Sequence, residues 1–207
     1  MKKTSPLRII FSIILAITAI GMGYYAVEMV LSSIRFKEQT EARKAVVIDQ
    51  IKDIRSAENL FKKSNNRFTA SFDTLINFVL TDSLELEKKL GSADDSVAVA
   101  KGLVKTVKFK MAVIDTLKLT PAEAQNLRYI PFANGQEFSL DAGTFMTEAK
   151  VLVPVFECKA PYKSFLADLD RQELINLIHE CKTIYEVYPG IKVGAMDAAN
   201  QGEGNWE

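Results

Sequence analysis

The chain has 207 residues, room for one domain of ordinary size and an appendage, and its 48% hydrophobic content supports a real core and excludes wholesale disorder. Its 26 basic and 26 acidic side chains cancel, so no global field points to nucleic acid or to an acidic surface. One histidine, His179, and two cysteines, Cys158 and Cys181, form neither a metal framework nor a multi-disulfide scaffold, and they leave little acid–base machinery for an enzyme.

Lys2, Lys3 and Arg8 precede Ile9–Val27, which carries no charge. At 1.5 Å per residue this run covers roughly 28 Å, close to the hydrocarbon thickness of a bilayer. Pro6 suits a first helical turn, and Tyr24 and Tyr25 stand where amphipathic rings favour the interface. These features predict a cytoplasmic tail over 1–8 and a transmembrane helix over 9–31. A cleaved secretory signal ending at Ala19-Ile20-Gly21 is the competing reading, and the apolar run continues past that point. Arg35, Lys37, Arg43 and Lys44 follow the span, so the positive charges nearly balance across it. The short basic tail then sets the N-terminus inside the cytoplasmic membrane and the domain in the periplasm.

Ser12, Ala16, Ala19, Gly23 and Ala26 lie on one stripe of that helix. Two readings stay open: small residues are common in membrane helices, and they also let two helices approach closely in lipid. The second makes the stripe a contact with another membrane subunit or with a second copy. Glu28, near the far end, reads as an interfacial charge or as an intramembrane acid.

Beyond Leu31 no Gly or Pro interrupts the chain until Gly91, and Val47, Ile51, Ile54, Ala57 and Phe61 form an amphipathic stripe. One helix from Leu7 to about Ser64 follows, with its extension over 32–64 packed on its own domain. Asn65 and Asn66 end it, because Asn tolerates the left-handed conformation.

This plan resembles the N-terminal region of type IV pilins and pseudopilins. A basic tail and a membrane helix continue as an amphipathic helix through Ile54-Arg55-Ser56-Ala57-Glu58-Asn59-Leu60-Phe61 into Asn65-Asn66-Arg67-Phe68-Thr69. The resemblance covers about the first 80 residues. It implies a pilin-like architecture: a long helix laid on an antiparallel sheet. The family's processing site, a Gly followed by Phe and an early Glu, is absent, and the apolar run begins Ile9-Ile10-Phe11-Ser12. The C-terminal half, in YIPFANGQEFSLDAG, VLVPVFECKAP and YPGIKVG, resembles uncharacterised single-pass envelope proteins of Gram-negative bacteria, which implies no activity.

Downstream, Ser71 is placed to cap a helix through Val79 with Phe72, Leu75, Ile76 and Val79 on one side. Ser83–Ser96, with Gly91 and Asp94-Asp95, reads as irregular and exposed. Val107, Phe109, Met111 and Val113 alternate with polar residues and predict a half-buried strand, with Lys105, Lys108 and Lys110 as its solvated edge. Thr120-Pro121-Ala122-Glu123 is a capping box, and Asn134-Gly135 a hairpin turn between Arg128–Phe132 and Glu137–Asp141. Val151–Cys158 reads as a strand that Pro154 assigns to an edge. Asp170 is placed to cap a helix to about Glu186 with Leu174, Leu177, Ile178 and Cys181 inside, and Tyr188-Pro189-Gly190 turns into a last short strand. The expected fold class is α+β, a long N-terminal helix packed on an antiparallel sheet with additional short helices. The domain spans 32–197, and 198–207 is a flexible tail.

Cys158 and Cys181 pair as a disulfide in one reading and stay independent buried thiols in another. His179 and Cys181, two apart on a helix, point to different faces and make no nucleophilic pair. Asp168 and Asp170 read as turn and cap residues. No phosphate loop or nucleophile elbow is present, and no cofactor, metal or small-molecule substrate is expected. The functional expectation is a non-catalytic, membrane-anchored structural or assembly subunit of a bacterial envelope complex, with partners in the membrane. The alternatives are an extracytoplasmic ligand-binding or sensing module and a periplasmic subunit of an ion-driven motor.

Overall fold

The computed structural model describes residues 6–90, 105–200 and 202–207, so Lys2, Lys3, Gly91 and Asp94-Asp95 lie outside the described residues. Helix α1 runs unbroken from Pro6 to Asn65, 60 residues, or about 90 Å. Lys62 and Lys63 in its last turn complement the helix dipole. It stops where the Asn66 N–H donates to the Lys62 carbonyl at 2.7 Å with Asn66 in the left-handed region, φ 55°.

The outer half of α1 is the spine of the domain. Val47, Ile51, Ile54 and Ala57 are fully buried and Phe61 nearly so, as the stripe predicts, and burial begins about three turns earlier, at Phe36 and Thr40. Each large apolar side chain so buried contributes roughly 1.5–3 kcal/mol. Helices α2 (Phe72–Thr81), α3 (Val113–Leu117) and α4 (Pro121–Asn126) gather along this spine. Ser71 caps α2 by accepting from the Thr74 N–H, and Thr120 with Glu123 forms the complete capping box of α4. Gln50 on α1 clamps the following loop by donating to the carbonyls of Asn126, Leu127 and Tyr129.

Two antiparallel sheets complete the α+β fold. Strands β1 (Ser83–Leu90) and β2 (Lys105–Ala112) form a hairpin in the register Ser83↔Ala112 to Leu90↔Lys105. The irregular segment expected after Ser83 is therefore a strand as far as Leu90; its alternating charges hide the pattern because one face carries little apolar surface. Leu84 and Val113 are buried, whereas Phe109 is 40% exposed, because a two-stranded ribbon has no third layer to cover it.

The second sheet has the order β3 (Ser139–Met146), β4 (Leu152–Pro161), β5 (Gly190–Gly194). Ahead of β3, Asn134 and Gly135, both at positive φ, turn the chain so that the Gln136 N–H donates to the Ala133 carbonyl. β4 is central, not the edge strand that Pro154 suggests. The local chemistry still explains the proline. The Tyr162 N–H donates to Pro189, so even-numbered residues of β4 aim their backbone groups toward β5. β5 pairs only with Glu157–Pro161, leaving Pro154 on the open part of that side, where no N–H is required.

After β4 come the short helix α5 (Tyr162–Phe165) and α6 (Arg171–Thr183), which Asp170 caps by accepting from the N–H groups of Gln172 and Glu173. Leu174 and Cys181 are buried on its inner face, with Leu177 and Ile178 packed beside them.

The tail differs from the flexible segment expected over 198–207. Residues 202–207 dock along the outer edge of β5: the Gly194 N–H donates to the Glu203 carbonyl and the Asn205 N–H to the Lys192 carbonyl. Trp206 packs on the core, and Glu207 pairs with Arg55 of α1 at 2.6 Å. The tail thereby satisfies backbone groups that an exposed strand edge would leave open. Gly194 permits the approach, because at φ 76° a side chain there would strain the backbone and its Cβ would lie 2.1 Å from the Phe156 carbonyl oxygen.

Candidate functional site

Residues 10–27 of α1 are exposed along their whole length, and this is the one segment among the described residues long and apolar enough to cross a membrane. Ser12, Ala16, Ala19, Gly23 and Ala26 share one face of it. None packs on the folded domain, and a Cβ built on Gly23 meets nothing within 4 Å. Glu28 is half-exposed and pairs with Arg35 at 3.0 Å, about two turns further along the same face.

The domain begins immediately after this segment. Tyr25, Glu28, Met29 and Ser32 line a cavity of about 320 Å³ with Asp170, Gln172 and Glu173 from the start of α6. Above it, Arg43 donates to the Phe165 carbonyl at 2.8 Å, forks onto both oxygens of Asp168 and lies 5.0 Å from the Phe132 ring. The Arg43 hydrogen bond holds the Asp168 carboxyl below its ordinary range. Asp168 is thus a clamp on α1, not a turn residue alone.

The least expected group is Glu58. It sits on the buried stripe between Ile54 and Phe61 and is fully buried. One carboxylate oxygen accepts from the Thr69 backbone N–H at 3.1 Å, while the other has no partner among the described residues. Burial raises its pKa to about 8, the Thr69 hydrogen bond acting in the opposite direction. The sequence signal is the helical spacing itself, which puts 51, 54, 58 and 61 on one face with an acid among the apolar residues.

Cys158 and Cys181 are both buried and both free, so the disulfide reading gives way to two separate thiols. They belong to different layers, β4 and α6. Burial pushes the Cys158 thiol far up, with the charge of Glu58 adding to the shift, and it also raises Cys181. Neither has the access to solvent of a reactive thiol. Among the described residues no group of three or more His, Cys, Asp or Glu is placed to hold a metal ion.

The class the fold defines is an α+β domain built directly on a helix of membrane-spanning length. No family model, no curated protein and no solved structure matches the chain.

Proposed function

We propose that this protein is a non-catalytic, membrane-anchored assembly subunit of a bacterial envelope complex, pilin-like in architecture, with its N-terminus in the cytoplasm and its domain in the periplasm. The observation that supports this best is the double use of α1: its exposed apolar half has the length of a bilayer, and its outer half is the core of the domain. A linker would let the domain search space. A continuous helix instead fixes its height and rotation relative to the membrane. The small-residue stripe is then the face that meets a partner helix, where close packing drives association in lipid.

The test is disulfide crosslinking in native membranes, with Cys158 and Cys181 replaced by Ala and single cysteines placed at Ala19, Gly23 or the opposite-face Ile14. The expected result is a specific crosslinked species from Ala19 and Gly23 and none from Ile14. Equal crosslinking from both faces, or none from either, overturns the assembly reading. A sensing module would give no crosslink, whereas a motor subunit would add loss of ion-driven activity on Glu28→Gln.

A further inference from the structure

Glu58 is a fully buried carboxyl without the partners that burial demands. As a carboxylate it would offer about four acceptor positions. Among the described residues the fold supplies it with one donor, the Thr69 N–H at 3.1 Å. Protonated, the group is neutral and the deficit is small. Ionised, it is a dry charge, which costs far more than an exposed ion pair contributes. Burial sets its pKa at about 8, so a mildly alkaline medium reaches the change.

The charged groups around it decide how the fold can relieve that charge. On α1, Arg55 stands three residues before Glu58 and Lys62 four after it, both on its side of the helix. Arg55 is held by Glu207 at 2.6 Å and by the Gly202 carbonyl. Lys62 is exposed, holds no carboxylate among the described residues and stands 4.8 Å from the Phe68 ring. Glu before Lys at this spacing is the favourable order for a helical pair. From β4 the neighbour is the Cys158 thiol, on which the charge of Glu58 acts. Glu157 and Lys159 alternate to the other face of the sheet, where they pair with each other, Asp141 and Lys192. Asp73 of α2 is held by Arg128, and Arg67, in the segment after α1, is exposed.

That segment is part of the cover over the carboxyl. Thr69 is bonded to Glu58, and Phe68 beside it packs on Phe156 at 4.6 Å with Lys62 over its ring. Its further hydrogen bonds are local, the Asn66 N–H to the Lys62 carbonyl and the Ser71 N–H to the Thr69 hydroxyl, so it can open without breaking a sheet.

We propose that Glu58, Lys62 and residues 66–71 form a proton-operated latch. Protonated, the carboxyl holds the segment closed through Thr69. On ionisation Lys62 leaves the Phe68 ring for the carboxylate, and the segment lifts from β4 and uncovers Phe156 and Cys158. Because the folded value lies above the ordinary 4.5, the latch is closed at lower pH and opens as pH rises through about 8. The device lies within the folded domain and does not rest on the assembly reading.

Amide hydrogen exchange of full-length protein in detergent micelles, read by mass spectrometry, tests it. Wild type and Glu58→Gln are compared at the same pH, so intrinsic exchange cancels. At pH 6 the two should protect 66–71 equally, and at pH 9 wild type should exchange there at least tenfold faster. In wild type at pH 9 that exchange should ignore urea below the unfolding transition, because a local opening exposes little surface, whereas exchange over 47–54 should accelerate with it. Lys62→Met, at an exposed position, keeps the stem and removes the ammonium, so it should move the opening up by about one pH unit. It also keeps the test valid if Glu58→Gln misfolds. Equal exchange of 66–71 in wild type and Glu58→Gln at pH 9, a urea dependence there like that of 47–54, or indifference to Lys62→Met overturns the proposal.

Discussion

Replacing Glu58 with glutamine removes a titrating group from a fully buried site and leaves its shape almost unchanged. The carboxyl has an ordinary pKa of 4.5, which the unfolded chain recovers, and about 8 in the fold, where burial disfavours its charged form. Between those values the folded state holds a proton that the unfolded state has lost, so stability falls as pH rises from about 4.5 to about 8 and is level beyond. The difference of 3.5 (8 − 4.5), at 1.36 kcal/mol each, gives a loss of roughly 5 kcal/mol across that window. That is comparable to the whole stability of a small domain. In Glu58→Gln the side chain keeps an acceptor for the Thr69 N–H and carries no charge at any pH, so the variant should lack this slope and be more stable than wild type at pH 8 and above. Urea unfolding of the full-length protein in micelles, followed by the fluorescence of its single tryptophan, Trp206, reads the effect from pH 5 to 9. Equal pH slopes for the two proteins, or a variant less stable than wild type at pH 8, would show that Glu58 does not ionise in a dry site.

Ile54→Ala, at a fully buried spine position, should cost about 2–5 kcal/mol by the same unfolding measurement. Gly194→Ala forces a side chain into a left-handed backbone against the Phe156 carbonyl and should cost about 1–3 kcal/mol, visible as a lowered Tm. Native protein should resist thiol reagents, two thiols should react per chain in denaturant, and reductant should leave Tm unchanged. Inserting one Ala after Ser33 rotates the apolar half of α1 by about 100° against the domain, so it should abolish crosslinking from Ala19 and Gly23 with little change in unfolding.

Legibility followed the range of the interactions. The long helix, its Asn66 stop, the Ser71 and Asp170 caps, the Thr120–Glu123 box and the Asn134-Gly135 turn all rest on contacts within a few residues, and each stands where the local chemistry puts it. The apolar stripe from Val47 to Phe61 is likewise a property of one helix. Partners distant in sequence were not legible. β1 reads as a charged loop because β2, its partner, supplies the pairing that defines it. The tail looks mobile by composition, and only the open edge of β5 and the Arg55 side chain give it somewhere to bind. Glu58 belongs to both groups. Its place on the stripe is local information, but its missing partner is a fact of the tertiary structure.

The position of that acid bears on how the two halves of helix α1 work together. Phe36 is buried barely one helical turn after Leu31, and Arg43 ties the same helix to the loop before α6. Between the exposed apolar segment and the core there is no stretch of backbone that can bend without breaking either helical hydrogen bonds or packed side chains. A rotation or displacement of the apolar half therefore reaches residues 36–61 as a rigid motion, and resistance to it comes from what those residues touch. Near the far end of this lever the core contains a carboxyl whose charge is unfavourable, bonded to the first segment that leaves the helix, at Thr69. Helix α1 is held there by Ile54, Ala57, Phe61 and the Arg55–Glu207 pair, while nearer the start of the domain it is clamped by Arg43 and Gln50. Ionisation of Glu58 should thus loosen first the join between α1 and the segment at Thr69, at the end of the helix farthest from its apolar half.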